Sequence, residues 1–130
     1  MKNIKYILII SIISLHAFAQ APANWTVKSA NFQYTMTMTL VANIDFAEFR
    51  DTADCVAAFV GTTCVGIAKP QYVTSLNRFI SYLTVYGNSS GSVVNFMVYK
   101  NSANTVIGIS KTLAFSINGN YGNLNAPYVL

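Results

Sequence analysis

Histidine is all but missing from this chain. The one histidine, His16, falls inside the first 19 residues, which read as a secretory signal peptide, so the exported part holds none. Without histidine, Ser-His-Asp and Cys-His catalytic arrangements cannot be assembled, nor can a His-ligated metal site. Charge is scarce too, at 9% of residues. The basic residues beyond the signal (Lys28, Arg50, Lys69, Arg78, Lys100 and Lys111) are scattered singly. No basic stripe exists, which excludes nucleic acid as a partner. Glycine-rich phosphate loops, CxxC pairs and internal repeats are absent as well. After residue 19 no apolar run reaches the roughly 20 residues that a membrane-spanning helix needs. This pattern points away from an enzyme.

What is present begins with an export signal. Lys2 and Lys5 form a positive start, Ile7 to Ile13 the apolar centre, and Ala17-Phe18-Ala19 a small-x-small cleavage site before Gln20. No cysteine stands at the cut, so a lipoprotein is disfavoured. The remaining residues, 20–130, are enough for one domain. With 53% hydrophobic residues over the whole chain, that domain is not disordered. It carries six basic residues against four acids, a formal charge of +2. Its destination is the periplasm, the cell surface or the medium.

Periodicity makes the domain all-β. From Tyr34 to Ile44, Tyr, Met, Met, Leu, Ala and Ile alternate with Thr, Thr, Thr, Val and Asn. Period two with threonine outside is a half-buried strand; the methionines face the core. Asp54 to Pro70 is the strongest hairpin signal, two β-type runs around Gly61-Thr62. A two-residue II′ turn needs the positive φ that Gly61 supplies. That turn pairs Val60 with Thr63, Phe59 with Cys64, Ala57 with Gly66 and Cys55 with Ala68. It sets Cys55, Ala57, Phe59, Cys64, Gly66 and Ala68 on one face. Cys64 then lies roughly 13 Å along the strand from Cys55's partner, whereas a disulfide needs Cα atoms within about 7 Å. Both cysteines are therefore expected to be free, core-filling thiols. Residues 70–77 read as a loop. Phe79–Tyr86 and Ser92–Tyr99 read as a second hairpin around Gly87–Gly91. Thr105–Ile109 and Thr112–Ile117 read as a third pair, and Ala126–Leu130 as a closing strand. Trp25–Lys28 is a further short strand. About eight strands with short turns predict an antiparallel β-sandwich, Ig-like in kind.

Three groups of residues are candidates for function. All four acids of the domain, Asp45, Glu48, Asp51 and Asp54, lie within ten residues. Hard cations take several oxygen ligands from one loop, so calcium is the ion such a loop would hold. The other reading is a solvated loop whose charge Arg50 partly balances. A glycosidase would need two of these acids facing each other, roughly 5–9.5 Å apart; four on one short loop fit that poorly. Trp25, Tyr72 and Tyr121, with Tyr128, are the candidate ligand-binding aromatics, able to stack on sugar rings if exposed. For Trp25 the competing reading is a core plug.

These motifs in their order resemble a known module. MTMTL at 36–40, Asp54 with AAFVG at 57–61, Cys64, Gly66, YLTVYGN at 82–88, VVNFMVYK at 93–100 and the Pro127–Leu130 ending are similar to a recurring β-sandwich module. It occurs in exported, multidomain surface proteins of Bacteroidetes-type bacteria. The resemblance implies an Ig-like sandwich, an exported protein and no catalytic residues. Two departures stand out: Thr63 and Val65 replace the family's charged pair around the cysteine, and Cys55 replaces an aliphatic residue. The function expected is a non-catalytic interaction module, in adhesion or envelope assembly, with an extracellular protein or glycan as partner. Carbohydrate binding is the alternative, and no cofactor beyond calcium is implied.

Overall fold

The computed structural model describes residues 20–45 and 47–130; the signal peptide expected at 1–19 lies outside them. The described chain is nearly all strand. In order these are β1 (Tyr34–Val41), β2 (Asn43–Ile44), β3 (Ala47–Glu48), β4 (Cys55–Val60), β5 (Thr63–Ala68), β6 (Gln71–Val73), β7 (Arg78–Gly87), β8 (Val93–Lys100), β9 (Thr105–Ala114), β10 (Asn120–Tyr121) and β11 (Tyr128–Val129). Three short 3₁₀ turns interrupt them, at Ser29–Asn31, Thr74–Leu76 and Asn101–Ala103.

Two sheets face each other. One runs β10-β1-β7-β6, with β11 also beside β1; the other runs β5-β4-β8-β9. The alternation in β1 sets its direction: Met36, Met38 and Leu40 are buried, while Tyr34 and Thr37 are exposed. Together with Leu83 and Val85 of β7 they meet Val56, Ala58, Val94, Phe96 and Val98 from the other sheet in one core. Burying such a layer is the main favourable term in folding. Neither sheet closes into a barrel. No helix among the described residues is long and apolar enough to cross a membrane.

Several expected pairings differ. Phe79–Tyr86 and Ser92–Tyr99 do not form a hairpin. β7 pairs with β1 and β6, whereas β8 pairs with β4 and β9, so Asn88–Ser92 carries the chain from one sheet to the other. Small and glycine residues serve a sheet crossing as readily as a tight turn. Thr105–Ile109 and Thr112–Ile117 are not a pair. Thr105–Ala114 form one strand, β9, with Phe115–Ile117 beyond it, and Ser110 and Lys111 bulge out between Ile109, opposite Phe96, and Thr112, opposite Asn95. The loop expected at 70–77 contains β6, and Trp25–Lys28 is not a strand. The sandwich is also not wholly antiparallel, because β10 and β11 both run parallel to β1. The chain enters β10 from the opposite sheet and passes from β10 to β11 along the same edge, so no hairpin turn with β1 fixes their direction.

The β4–β5 hairpin has the expected turn and an altered register. Gly61 has φ +58° and Thr62 is not in the positive-φ region, the sign pattern of a II′ turn. Val60 faces Thr63 and Phe59 faces Cys64, as the turn dictates. Then one residue is added: Ala58 faces Gly66, Ala57 faces Ile67 and Val56 faces Ala68. The bulge at Val65 moves Gly66 and Ala68 from the cysteine face to the core face. It brings β5 so close to β7 that a Cβ on Gly66 would stand 2.6 Å from the Thr84 carbonyl oxygen. Only glycine fits that approach.

The outer face of β4 is covered as well. The N-terminal lead-in crosses it, and Trp25 joins Cys55, Ala57, Phe59, Cys64 and Tyr99 in a second apolar cluster.

Candidate functional site

The four acids do not converge. Asp45 is exposed between β2 and β3, at φ +50°; Asp tolerates that region better than most residues. Glu48 is bound to a partner from β7. Arg78 Nε donates to Glu48 Oε1 at 2.9 Å, and the Arg78 Nη2 group donates to the same oxygen. That partner is Arg78, not the neighbouring Arg50. The contact raises the Arg78 pKa, first through the hydrogen bond from its guanidinium to Glu48. Asp51 folds back on its own loop, where Oδ1 accepts the Ala53 N–H at 2.8 Å and its carbonyl accepts the Asp54 N–H at 3.0 Å. This is an Asx turn.

Asp54 is the exception, being fully buried at 0% exposure. Its Oδ1 accepts the Asn101 N–H at 2.8 Å, pinning the start of β4 to the turn after β8. Among the described residues Oδ2 has no hydrogen-bond partner. Burial pushes its pKa up, with the Asn101 N–H and the Lys100 charge acting against that rise. Among the described residues no three His, Cys, Asp or Glu side chains come together in a way that could hold a metal ion. The four acids expected to hold calcium, Asp45, Glu48, Asp51 and Asp54, are thus not gathered in one place: Glu48 pairs with Arg78, Asp51 turns on its own loop, Asp54 bonds to Asn101 and Asp45 stands exposed.

The aromatic candidates also separate. Trp25 is 5% exposed, edge-on to Phe59 and Tyr99 at 5.8 and 6.4 Å between ring centroids. It is a core residue and presents no face to a ligand. Tyr72 is 49% exposed on the short edge strand β6. Its ring leans on Phe79, and its hydroxyl donates to Asn77 Oδ1 at 2.6 Å. Tyr121 and Tyr128 lie at the opposite edge of the same sheet, half-buried and at 77° to each other. Lys111 Nζ stands 4.0 Å from the centre of the Tyr128 ring. These rings offer no shared plane on which a sugar could stack.

Both thiols are free and buried. Cys64 Sγ lies 3.5 Å from the Gly66 carbonyl and Cys55 Sγ 4.0 Å from that of Ala53. Burial pushes both pKa values up, which opposes the thiolate form that reacts.

One concave feature was not legible in the sequence. A cleft of about 230 Å³ opens where the β4–β5 turn meets the end of β7, lined among others by Phe32, Val65, Tyr86, Asn88, Ser89 and Phe115. Phe32 and Tyr86 form one wall, with centroids 6.1 Å apart. The Asn88 side chain holds that wall in place: its Oδ1 accepts the Gln33 N–H at 2.9 Å, and its Nδ2 donates to the Asn31 carbonyl at 3.1 Å. Apolar walls with a few polar groups at the rim describe a small binding cleft. Nothing local in the sequence pairs Phe32 with Tyr86. Comparison with protein-family models, curated proteins and solved structures finds no match for this chain.

Proposed function

We propose that residues 20–130 are a non-catalytic, Ig-like interaction module, exported by the signal at 1–19 and acting in adhesion or envelope assembly. The observation that carries this reading is the Phe32–Tyr86 cleft at one end of the sandwich. Loops at the end of a rigid β-scaffold are where such modules bind. The Asn88 bonds fix the cleft wall before any partner arrives, which lowers the ordering cost of binding. The resemblance to surface modules of Bacteroidetes-type bacteria supports the same reading, as does the dispersal of the four acids.

The test is binding of the exported protein to envelope proteins, extracellular matrix proteins and a panel of polysaccharides, with or without calcium. Ser89→Arg places a bulky charge at the exposed rim and Tyr86→Ala removes half of the wall. A partner bound by the native protein, lost in both variants and kept in Tyr72→Ala, is the expected result. Binding to a polysaccharide with that same pattern identifies a glycan as the partner class. No binding across the panels, or binding indifferent to both cleft variants, overturns the reading.

A further inference from the structure

We propose that β9 is a self-pairing edge, along which a second copy of this chain adds antiparallel across a two-fold axis at Ile107. The two β5-β4-β8-β9 sheets would then run on as one.

The argument begins with the edges of the sandwich. A sheet edge leaves one row of backbone N–H and C=O groups unpaired, which invites another strand. Three edges here are blunted by shortness: β6 has three residues, and β10 and β11 have two each. The β5 edge is drawn in against β7 at Gly66. By contrast β9 has ten residues and, among the described residues, pairs only with β8. None of its residues is buried. It has no proline, and its single charge, Lys111, is engaged within its own sandwich: Nζ donates to the Val129 carbonyl at 2.7 Å and sits over Tyr128. The usual guards of an edge strand are thus missing from Thr105–Ile109, the regular part before the Ser110–Lys111 bulge.

What selects a second copy is that this stretch is complementary to itself. Antiparallel pairing about Ile107 sets Ile107 opposite Ile107, Thr105 opposite Ile109, and Val106 opposite Gly108. Val106 is 44% exposed, and a Cβ at Gly108 would meet nothing within 4 Å. The valine of one copy therefore lies over open space beside the glycine of the other. On the inner side, Ile107 and Ile109 line a mixed groove of about 300 Å³ with Ile44 and Leu130 and with the polar Asn43, Asp45 and Lys111, and the partner's isoleucines meet its apolar part. No like charges meet. Such a pairing is isologous, so it closes at two copies and cannot grow into a fibre. It is also small beside the roughly 1,200–2,000 Å² of a stable interface, so the dimer is weak and exchanging.

Sedimentation of the exported protein up to about 500 μM, a range suited to a weak dimer, tests the proposal. Two double variants fix the register. V106K/G108K sets lysine opposite lysine, and V106K/G108E sets lysine opposite glutamate. Both positions are exposed, and Gly108 is not in the positive-φ region, so side chains are tolerated; a thermal scan checks the fold. Native dimer, at least tenfold weaker association in the first variant and recovery in the second at low salt are expected. A monomer at every concentration, a dimer unmoved by V106K/G108K, or no recovery with V106K/G108E overturns the proposal.

Discussion

β4 and β9 belong to the same sheet, separated only by β8, and they have similar compositions. CVAAFV carries no charge and TVIGISKTLA carries one. Yet every residue of β4 except Val60 is buried, and none of β9 is. The difference lies in what surrounds them. β4 has strands on both sides, the opposite sheet on one face and the Trp25 lead-in on the other. Among the described residues β9 has one neighbouring strand and nothing equivalent to the lead-in. Apolar, β-branched character therefore specifies a strand without specifying its place in the sheet.

The largest way to break this comparison is to uncover β4. Trp25→Ala opens the cluster of Cys55, Ala57, Phe59, Cys64 and Tyr99 to water. Replacing a buried Trp by Ala costs about 3–5 kcal/mol, and urea unfolding should report a loss of that order. A loss below about 1 kcal/mol, the scale of a surface change, would show that the lead-in does not cover β4 in solution. Gly66→Ala comes next. Its Cβ would meet a backbone oxygen of β7 that no side-chain rotation can move, so about 1–3 kcal/mol is expected, as for overpacking. An unchanged midpoint would place β5 farther from β7 than the bulge implies.

The same long-range logic decides what was legible in the sequence. β1 could be read from its own alternation, and the Gly61-Thr62 turn from its own chemistry. Local residues could not reveal that Asn88–Ser92 bridges two sheets, because the choice of partner strand is made by packing far along the chain. The extra residue at Val65 was invisible for a related reason: either register keeps apolar residues on both faces, so the pattern cannot choose between them. The acids show the same limit. Their clustering in sequence was plain, yet Glu48 finds Arg78 thirty residues on and Asp54 finds Asn101 forty-seven residues on. A tryptophan in a lead-in without strand periodicity gave no sign that it covers the outside of a sheet.

Asp54 links the two regions at the level of charge, since it stands just before β4 and holds the turn that leads into β9. Its pKa is raised in the folded protein by burial, so the folded state holds that proton more tightly than the unfolded chain does. Its contribution to stability is therefore favourable at low pH. It declines as pH rises from the ordinary aspartate value, about 3.9, through the raised one. Asp54→Asn cannot titrate and should flatten this part of the curve. Urea midpoints between pH 3 and pH 8 check the sign. A wild-type curve no steeper than that of Asp54→Asn over this range would mean that the carboxyl is hydrated.

The smallest effect is expected at the strand that sets the contrast. Val106→Thr keeps the β-branched shape on an exposed edge, where strand propensity is similar and no core contact is removed. Surface changes of this kind fall within about 0.5 kcal/mol. The measurement belongs at low protein concentration, where the pairing of two β9 edges would be dissociated and the monomer alone is unfolded. A cost of 1 kcal/mol or more there would mean that β9 is covered by its own chain as β4 is. Such a cost would dissolve the distinction between the two strands. A shift in the midpoint that appears only at high concentration would instead sharpen it. The residue would then count for little in the sandwich itself and would gain its weight where a second edge lies against it.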